Sequence, residues 1–152
     1  MYHTIAAIAD ADLSPTEKLR RAILAHLEAF DRHYPHLFVY LRERESVKQR
    51  FREMIGFSPK DYEQCWQQIL RDGVKRGEFR ADLDIQVTSY GLLGMLNWLY
   101  KWYDPQGRLS IQQVAEQLTS LALAGIVADK SNTARMRRRP LRTAATTKLP
   151  AS

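Results

Sequence analysis

The sequence predicts an all-α fold. Three observations carry that prediction. Helix-start signals recur along the chain, at Ser14-Pro15-Thr16-Glu17, at Ser58-Pro59-Lys60-Asp61 and at Ser110 with Gln113. Apolar residues follow each start at helical spacing. No alternating strand pattern flanked by hairpin turns occurs anywhere.

Taken in order, Tyr2 to Ala9 reads as the last turns of a helix, or as a frayed start. Ser14 then caps a helix with Pro15 in its first position and Glu17 completing a capping box. Leu19, Ile23, Leu27, Phe30 and Tyr34 form its buried stripe, Lys18, Arg20, Arg21 and Glu28 fall largely elsewhere, and the helix should end near His33. Pro35 reopens a short buried segment carrying Leu37, Phe38, Tyr40 and Leu41. The charged run 42–54 follows, with Arg44, Lys48 and Arg52 four apart on what reads as a solvated face, and Gly56 closes it.

From Ser58 a helix carries Tyr62, Cys65, Trp66, Ile69, Leu70 and Gly73 on one side, to about Arg76. Lys75 and Arg76 suit its negative end, Gly77 its C-cap, and Phe79 can fold back over it. Asp82 or Asp84 caps the next helix. Asp104-Pro105-Gln106-Gly107 is a turn, after which Ser110 starts a last helix with Ile111, Val114, Leu118, Leu121 and Ala122 on one stripe, ending between Ile126 and Asp129.

Ile85 to Tyr103 is the stretch around which the chain is organised. Lys101 is its one ionised side chain, and apolar residues sit all round it. Such a helix wants protein on every side, as the central post of a bundle or shared with a second subunit. Gln86, Thr88, Ser89, Asn97 and Lys101 argue against a membrane span.

Composition sets the outer bounds. A length of 152 residues with 45% apolar content suits one domain with a real core. Cys65 is alone, so no intrachain disulfide can form, and the first residues lack the basic flank of a signal peptide, which makes a cytoplasmic home the expectation. Residues 129–152 hold seven basic side chains against Asp129, which accounts for the whole net charge of +6. The body, 1–128, is therefore neutral and ill suited to gripping a phosphate backbone over a broad face, and 129–152 reads as a basic, disordered tail.

No catalytic or metal-binding constellation emerges, so an enzyme is not expected. His33 and His36 are separated by the helix-breaking Pro35, His3 and His26 read as structural or surface residues, and Cys65 lies on an apolar stripe. A cofactor is not implied either. A ligand pocket is the stronger expectation. Tyr34, Phe38, Met54, Tyr62, Trp66, Asn97 and Trp98 supply large adaptable side chains, and Asn97 needs a hydrogen-bond partner if buried. Gly91 and Gly94 each cost about 1 kcal/mol of helix propensity relative to alanine, which a close helix crossing would offset. The short connection to the last helix makes the two helices antiparallel neighbours. A dimer interface is expected from them through Gly91, Gly94, Met95, Trp102, Val114, Leu118 and Leu121.

The stretch GLLGMLNWLYKWYDPQGRLSIQQVAEQLTSLALAGI, Gly91 to Ile126, resembles the last two helices of TetR/AcrR-family transcriptional regulators. The series Asn97-Trp98-Leu99-Tyr100, Trp102-Tyr103-Asp104-Pro105 and Gly107-Arg108-Leu109-Ser110 is similar to the branch that senses acyl or steroid-derived coenzyme A thioesters. Ser14 to Phe30, the His33-Tyr34-Pro35 break and Gly73 to Arg80 resemble the same regulatory domain in order, so the likeness covers 1–127. It implies a TetR-like C-terminal helical bundle, a homodimer through its last two helices, and a cavity for a small apolar or acyl-CoA-like effector. Ligand binding in that family changes the separation of two N-terminal helix-turn-helix heads and releases the operator. No such head precedes Tyr2 to Ala9, which would be the tail of the linking helix, so this chain alone is not expected to bind an operator. The competing expectation is a helical module that engages a protein or RNA through the charged segment 43–53 and the basic tail.

Overall fold

Residues 2–32 and 59–128 are described by the computed structural model, and helices dominate both stretches. In chain order they are α1 (Tyr2–Asp10), α2 (Pro15–Arg32), α3 (Pro59–Lys75), α4 (Ile85–Asn97), a 3-10 turn (Trp98–Lys101) and α5 (Ile111–Ile126). The charged segment 43–53, the tail 129–152 and the sequence-named residues Tyr34, Phe38 and Met54 lie outside the described residues.

The hub is α2. It packs against α5, α3 and α1 and touches α4. Its stripe of Leu19, Ile23, Leu27 and Phe30 is buried, as the spacing predicts. Burial of each such side chain is worth roughly 1.5–3 kcal/mol, so this stripe anchors the core. Trp66, Ile69 and Leu70 face it from α3, Leu92 and Leu96 from α4, and Ile111, Val114, Ala115, Ala122 and Ile126 from α5. The role of central post thus falls to α2, and not to Ile85–Tyr103.

That stretch also differs in form from the single helix expected. α4 ends at Asn97 and tightens into the 3-10 turn, with Trp102 N–H closing on the Leu99 carbonyl at 3.1 Å. Ser89, Leu92 and Leu96 are its buried residues, while Val87, Tyr90, Gly91 and Gly94 face outward. Nor are α4 and α5 close neighbours: their backbones make little direct contact, and α5 lies on α2 instead. The connection between them runs from Trp98 to Ser110 through both the 3-10 turn and the Asp104–Gly107 reversal, too long to force a tight hairpin.

Helix ends follow the sequence closely. Gly77, at φ +73°, terminates α3, with Glu78 N–H returning to the Gly73 carbonyl and Gly77 N–H to that of Val74. This is the Schellman arrangement, and the Phe79 side chain covers it. Asp84 caps α4 through Val87 N–H at 2.9 Å, and Ser110 with Gln113 forms a complete capping box on α5. At α2 the box is only half made. Ser14 Oγ accepts from Glu17 N–H, but the Glu17 carboxylate turns to Arg21 at 2.7 Å.

Lys18 departs from its expected solvated position. It is 5% exposed, donates to the Ala9 carbonyl at 2.8 Å and pairs with Asp72 at 3.3 Å. One ammonium thereby ties the end of α1 to both α2 and α3. Among the described residues the sole β-type pairing is an isolated bridge between Phe79 and Val127, and no helix is long and apolar enough to cross a membrane.

Candidate functional site

A polar cluster lies where α2, α3 and α4 meet. Tyr62 and Trp66 are four apart on α3, which places both on the same face, toward α2. His26 comes from α2, and its Nδ1 lies 2.7 Å from the Tyr62 hydroxyl. The His26 and Tyr62 ring centroids are 5.9 Å apart, and the Trp66 indole stands edge-on to His26, also at 5.9 Å. Tyr62 and Trp66 complete the triangle at 6.3 Å. Asn97, at the last residue of α4, reaches the His26 side chain from the third helix.

Burial sets the electrostatics. It lowers the His26 pKa from 6.5 to about 4, against the opposing hydrogen bond from Asn97, so the imidazole is neutral at pH 7. His26 thus has polar partners on two helices, Asn97 of α4 and, at Nδ1, the Tyr62 hydroxyl of α3. Burial also pushes the Tyr62 hydroxyl well above its ordinary value, opposed by the nearby Trp66 indole. The cluster is uncharged. It offers no ready acid, base or anion.

Three sequence-named residues, Tyr62, Trp66 and Asn97, thus come together around His26. Trp98 does not join them. Successive helical residues point about 100° apart, so Asn97 facing inward turns its neighbour outward. Trp98 is 57% exposed, edge-on to Tyr100 at 6.0 Å, with the Lys101 ammonium 5.8 Å from its ring. His26 was the member missing from the sequence reading. Its signal is the helical period itself, since it falls beside Ile23, Leu27 and Phe30 on the buried stripe of α2.

Two other features frame the cluster. A polar cleft of about 510 Å³ opens between the end of α1 and the last turns of α3, bordered by Asp10, Lys18, Arg71, Asp72 and Lys75. Its charges are mixed, and Lys18, Asp72 and Arg76 are already paired with one another. On the outer side, Val87, Tyr90, Trp98, Trp102 and Leu121 are exposed apolar side chains, and a Cβ added at Gly91 or Gly94 meets open space. Of the remaining residues named for dimerisation, Met95 and Leu118 are half-buried, whereas Val114 is 3% exposed and packs inside the subunit. Among the described residues no three His, Cys, Asp or Glu side chains converge to hold a metal ion.

The described residues thus form an all-helical domain with an interior polar cluster and an exposed apolar flank. The chain belongs to the tetracycline repressor-like C-terminal domain family, whose model matches residues 12–126. Among characterised relatives, it is 31% identical over 121 residues to the HTH-type transcriptional repressor KstR2 of Mycobacterium tuberculosis, across 78% of this chain and 60% of the relative. The fold matches the structure of the ketosteroid transcriptional regulator KstR2 of M. tuberculosis with TM-score 0.76 at 27% identity, covering 84% of this chain and 66% of that one. A TetR/AcrR-family regulator from Thermobifida fusca matches with TM-score 0.67 at 31% identity, over 81% and 64% of the two chains. The chain therefore spans about 60% of the length of the curated relatives it matches.

Proposed function

We propose that this domain is the effector-sensing and homodimerisation part of a TetR-like transcriptional repressor, with an apolar or acyl-CoA-like small molecule as its effector. The observation that carries the reading is the His26–Tyr62–Trp66–Asn97 cluster. It gathers aromatic surface and uncharged polar groups from three helices, the mixture by which an apolar ligand with a few oxygens is held. The relationship to KstR2, a ketosteroid regulator, supports an apolar skeleton of that general size. The exposed stripe of Val87, Tyr90, Gly91, Gly94 and Trp98 on α4 and the 3-10 turn, together with Leu121 on α5, is the surface assigned to the second subunit. DNA enters this reading only through a helix-turn-helix outside these residues.

Native mass spectrometry of the untreated protein tests both halves at once. A dimer mass, with or without a small co-purified ligand, is the expected result. A monomer at high micromolar concentration would remove the dimerisation half. Failure of any hydrophobic ligand to raise the melting temperature would remove the sensing half.

A further inference from the structure

One polar atom in the cluster is left unused by the subunit. Trp66 is fully buried, and its indole N–H has no hydrogen-bond partner. It stands close enough to Tyr62 to steady that hydroxyl's ionised form, yet without the geometry of a hydrogen bond. The indole nitrogen is a donor only, so nothing but an acceptor can satisfy it. A buried donor left unpaired has lost its water without compensation, a loss an incoming acceptor would recover.

The neighbouring groups decide what kind of acceptor fits. The Tyr62 hydroxyl and the His26 ring already hold each other, and Asn97 also bonds the His26 side chain. None of these groups carries charge at neutral pH. A carboxylate brought against the Trp66 N–H would be desolvated with no counter-charge from the described residues of the cluster, a large penalty. A ketone, ester or thioester carbonyl loses far less on leaving water and still accepts the bond. A plain hydrocarbon offers no acceptor and leaves the N–H unpaired.

We propose that the Trp66 indole N–H is the polar anchor of the effector site, selecting a neutral carbonyl oxygen on an apolar skeleton over the matching carboxylate or hydrocarbon. This rests on the effector-sensing reading above. His26 and Tyr62 then act as positioning residues. Their hydrogen bond links α2 to α3 one turn before Trp66, and both rings lie against the indole.

The test uses the full chain labelled with ¹⁵N, which gives three indole N–H signals, from Trp66, Trp98 and Trp102. The probes are 2-decalone, decalin and decalin-2-carboxylate, and Trp98→Phe and Trp102→Phe assign the spectrum. Decalone is expected to move the Trp66 proton downfield and to bind about tenfold more tightly than either analogue, the effect of one net hydrogen bond. In Trp66→Phe the advantage of the ketone over decalin should vanish, whatever the absolute affinities become. Decalone binding that leaves the Trp66 signal unmoved overturns the anchor but keeps the effector-sensing reading, and this readout needs no variant at Trp66. Tighter binding of the carboxylate overturns the neutral selectivity. Absence of binding by all three overturns the effector-sensing reading and the anchor with it.

Discussion

Glu78 caps the start of α2 from 62 positions further along the chain. Its Oε2 accepts from the Thr16 hydroxyl at 2.7 Å and from the Thr16 N–H at 3.1 Å. A carboxylate at a helix N-terminus meets both free N–H donors and the positive end of the macrodipole. The same residue's backbone carbonyl accepts from Ala128 N–H at 2.9 Å, next to the Phe79–Val127 bridge. One short segment therefore ties together the beginning of α2, the end of α3 and the end of α5. Replacing Glu78 with alanine should cost about 1–2 kcal/mol, as loss of a helix cap does. Glu17→Ala should cost less than about 0.5 kcal/mol, because the Glu17 carboxylate pairs with Arg20 and Arg21 at the surface. Urea denaturation of the two variants gives the comparison, and equal losses would remove Glu78 from this role.

Lys18 makes a second long-range tie, and its removal should be more severe. Lys18→Met keeps much of the aliphatic stem but leaves the Ala9 carbonyl without its donor and Asp72 without one of its cations. Arg76 still holds Asp72 at 2.9 Å, which limits the damage to about 2–3 kcal/mol. The sharper readout is local. Amide hydrogen exchange in α1 should accelerate more than in α5, since α1 loses its attachment to α2 and α3. Uniform acceleration across all helices would contradict the attachment.

These two ties also mark where the sequence stops being legible. Periodicity finds the stripes of α2 and α3, and capping chemistry finds Gly77, Asp84 and Ser110, because both signals are local. Lys18 reads as surface by residue type, and the Asp72 carboxylate that makes its burial tolerable lies 54 positions away. Glu78 likewise looks like one more charged residue in a loop. In the site, Tyr62, Trp66 and Asn97 are visible as large or polar groups on apolar faces. The inward turn of His26 depends on the Tyr62 hydroxyl 36 positions off. Trp98 shows the opposite limit: apolar character alone does not say whether a residue faces its own core or open surface.

Burial of neutral His26 gives a distinct pH signature. Its folded pKa of about 4 lies below the ordinary 6.5, so between those values the unfolded chain binds a proton that the folded one excludes. Stability should therefore fall as the pH drops through that window, by about 3 kcal/mol in all, with no further loss from this group below pH 4. Asp72 acts lower. Burial alone would raise its carboxyl, but hydrogen bonds and charge from Arg76 and Lys18 outweigh that and hold it below the usual value. Its contribution is present above the unfolded carboxylate pKa and disappears only as the pH falls through the folded one. Urea midpoints at pH 7, 5.5 and 4.5 should decline in the wild type and flatten in His26→Gln. A wild-type midpoint unchanged from pH 7 to 4.5 would mean that His26 is not held neutral.

Gly73 is required by what lies over it. A methyl group there would run into the buried Phe79 ring, which covers the end of α3. Gly73→Ala should gain about 1 kcal/mol of helix propensity and lose considerably more to the displaced ring, for a net destabilisation of about 1–3 kcal/mol. The Phe79→Ala, Gly73→Ala double variant supplies the control. With the ring gone, the second substitution should turn neutral or stabilising, and an additive pair would exclude the clash as the cause.

Gly91 and Gly94 should behave in the opposite way, because nothing within the subunit occupies the space a methyl would fill. In an isolated subunit each alanine should therefore stabilise α4 by about 1 kcal/mol through propensity alone. Both glycines sit on the outward face with Val87, Tyr90 and Trp98. If a second subunit crosses α4 closely there, the same methyls hold the helices apart and weaken the dimer. Opposite signs in two measurements are thus expected from Gly91→Ala, Gly94→Ala: a higher urea midpoint under dilute, monomeric conditions and a larger dissociation constant by sedimentation. Leu121→Glu should weaken association with little effect on the monomer, since Leu121 is 63% exposed. Val114→Ala should cost about 0.5–2 kcal/mol of monomer stability and leave association intact, since Val114 packs inside the subunit. A dimer equally strong in all four variants would move the subunit contact off α4 and α5 altogether.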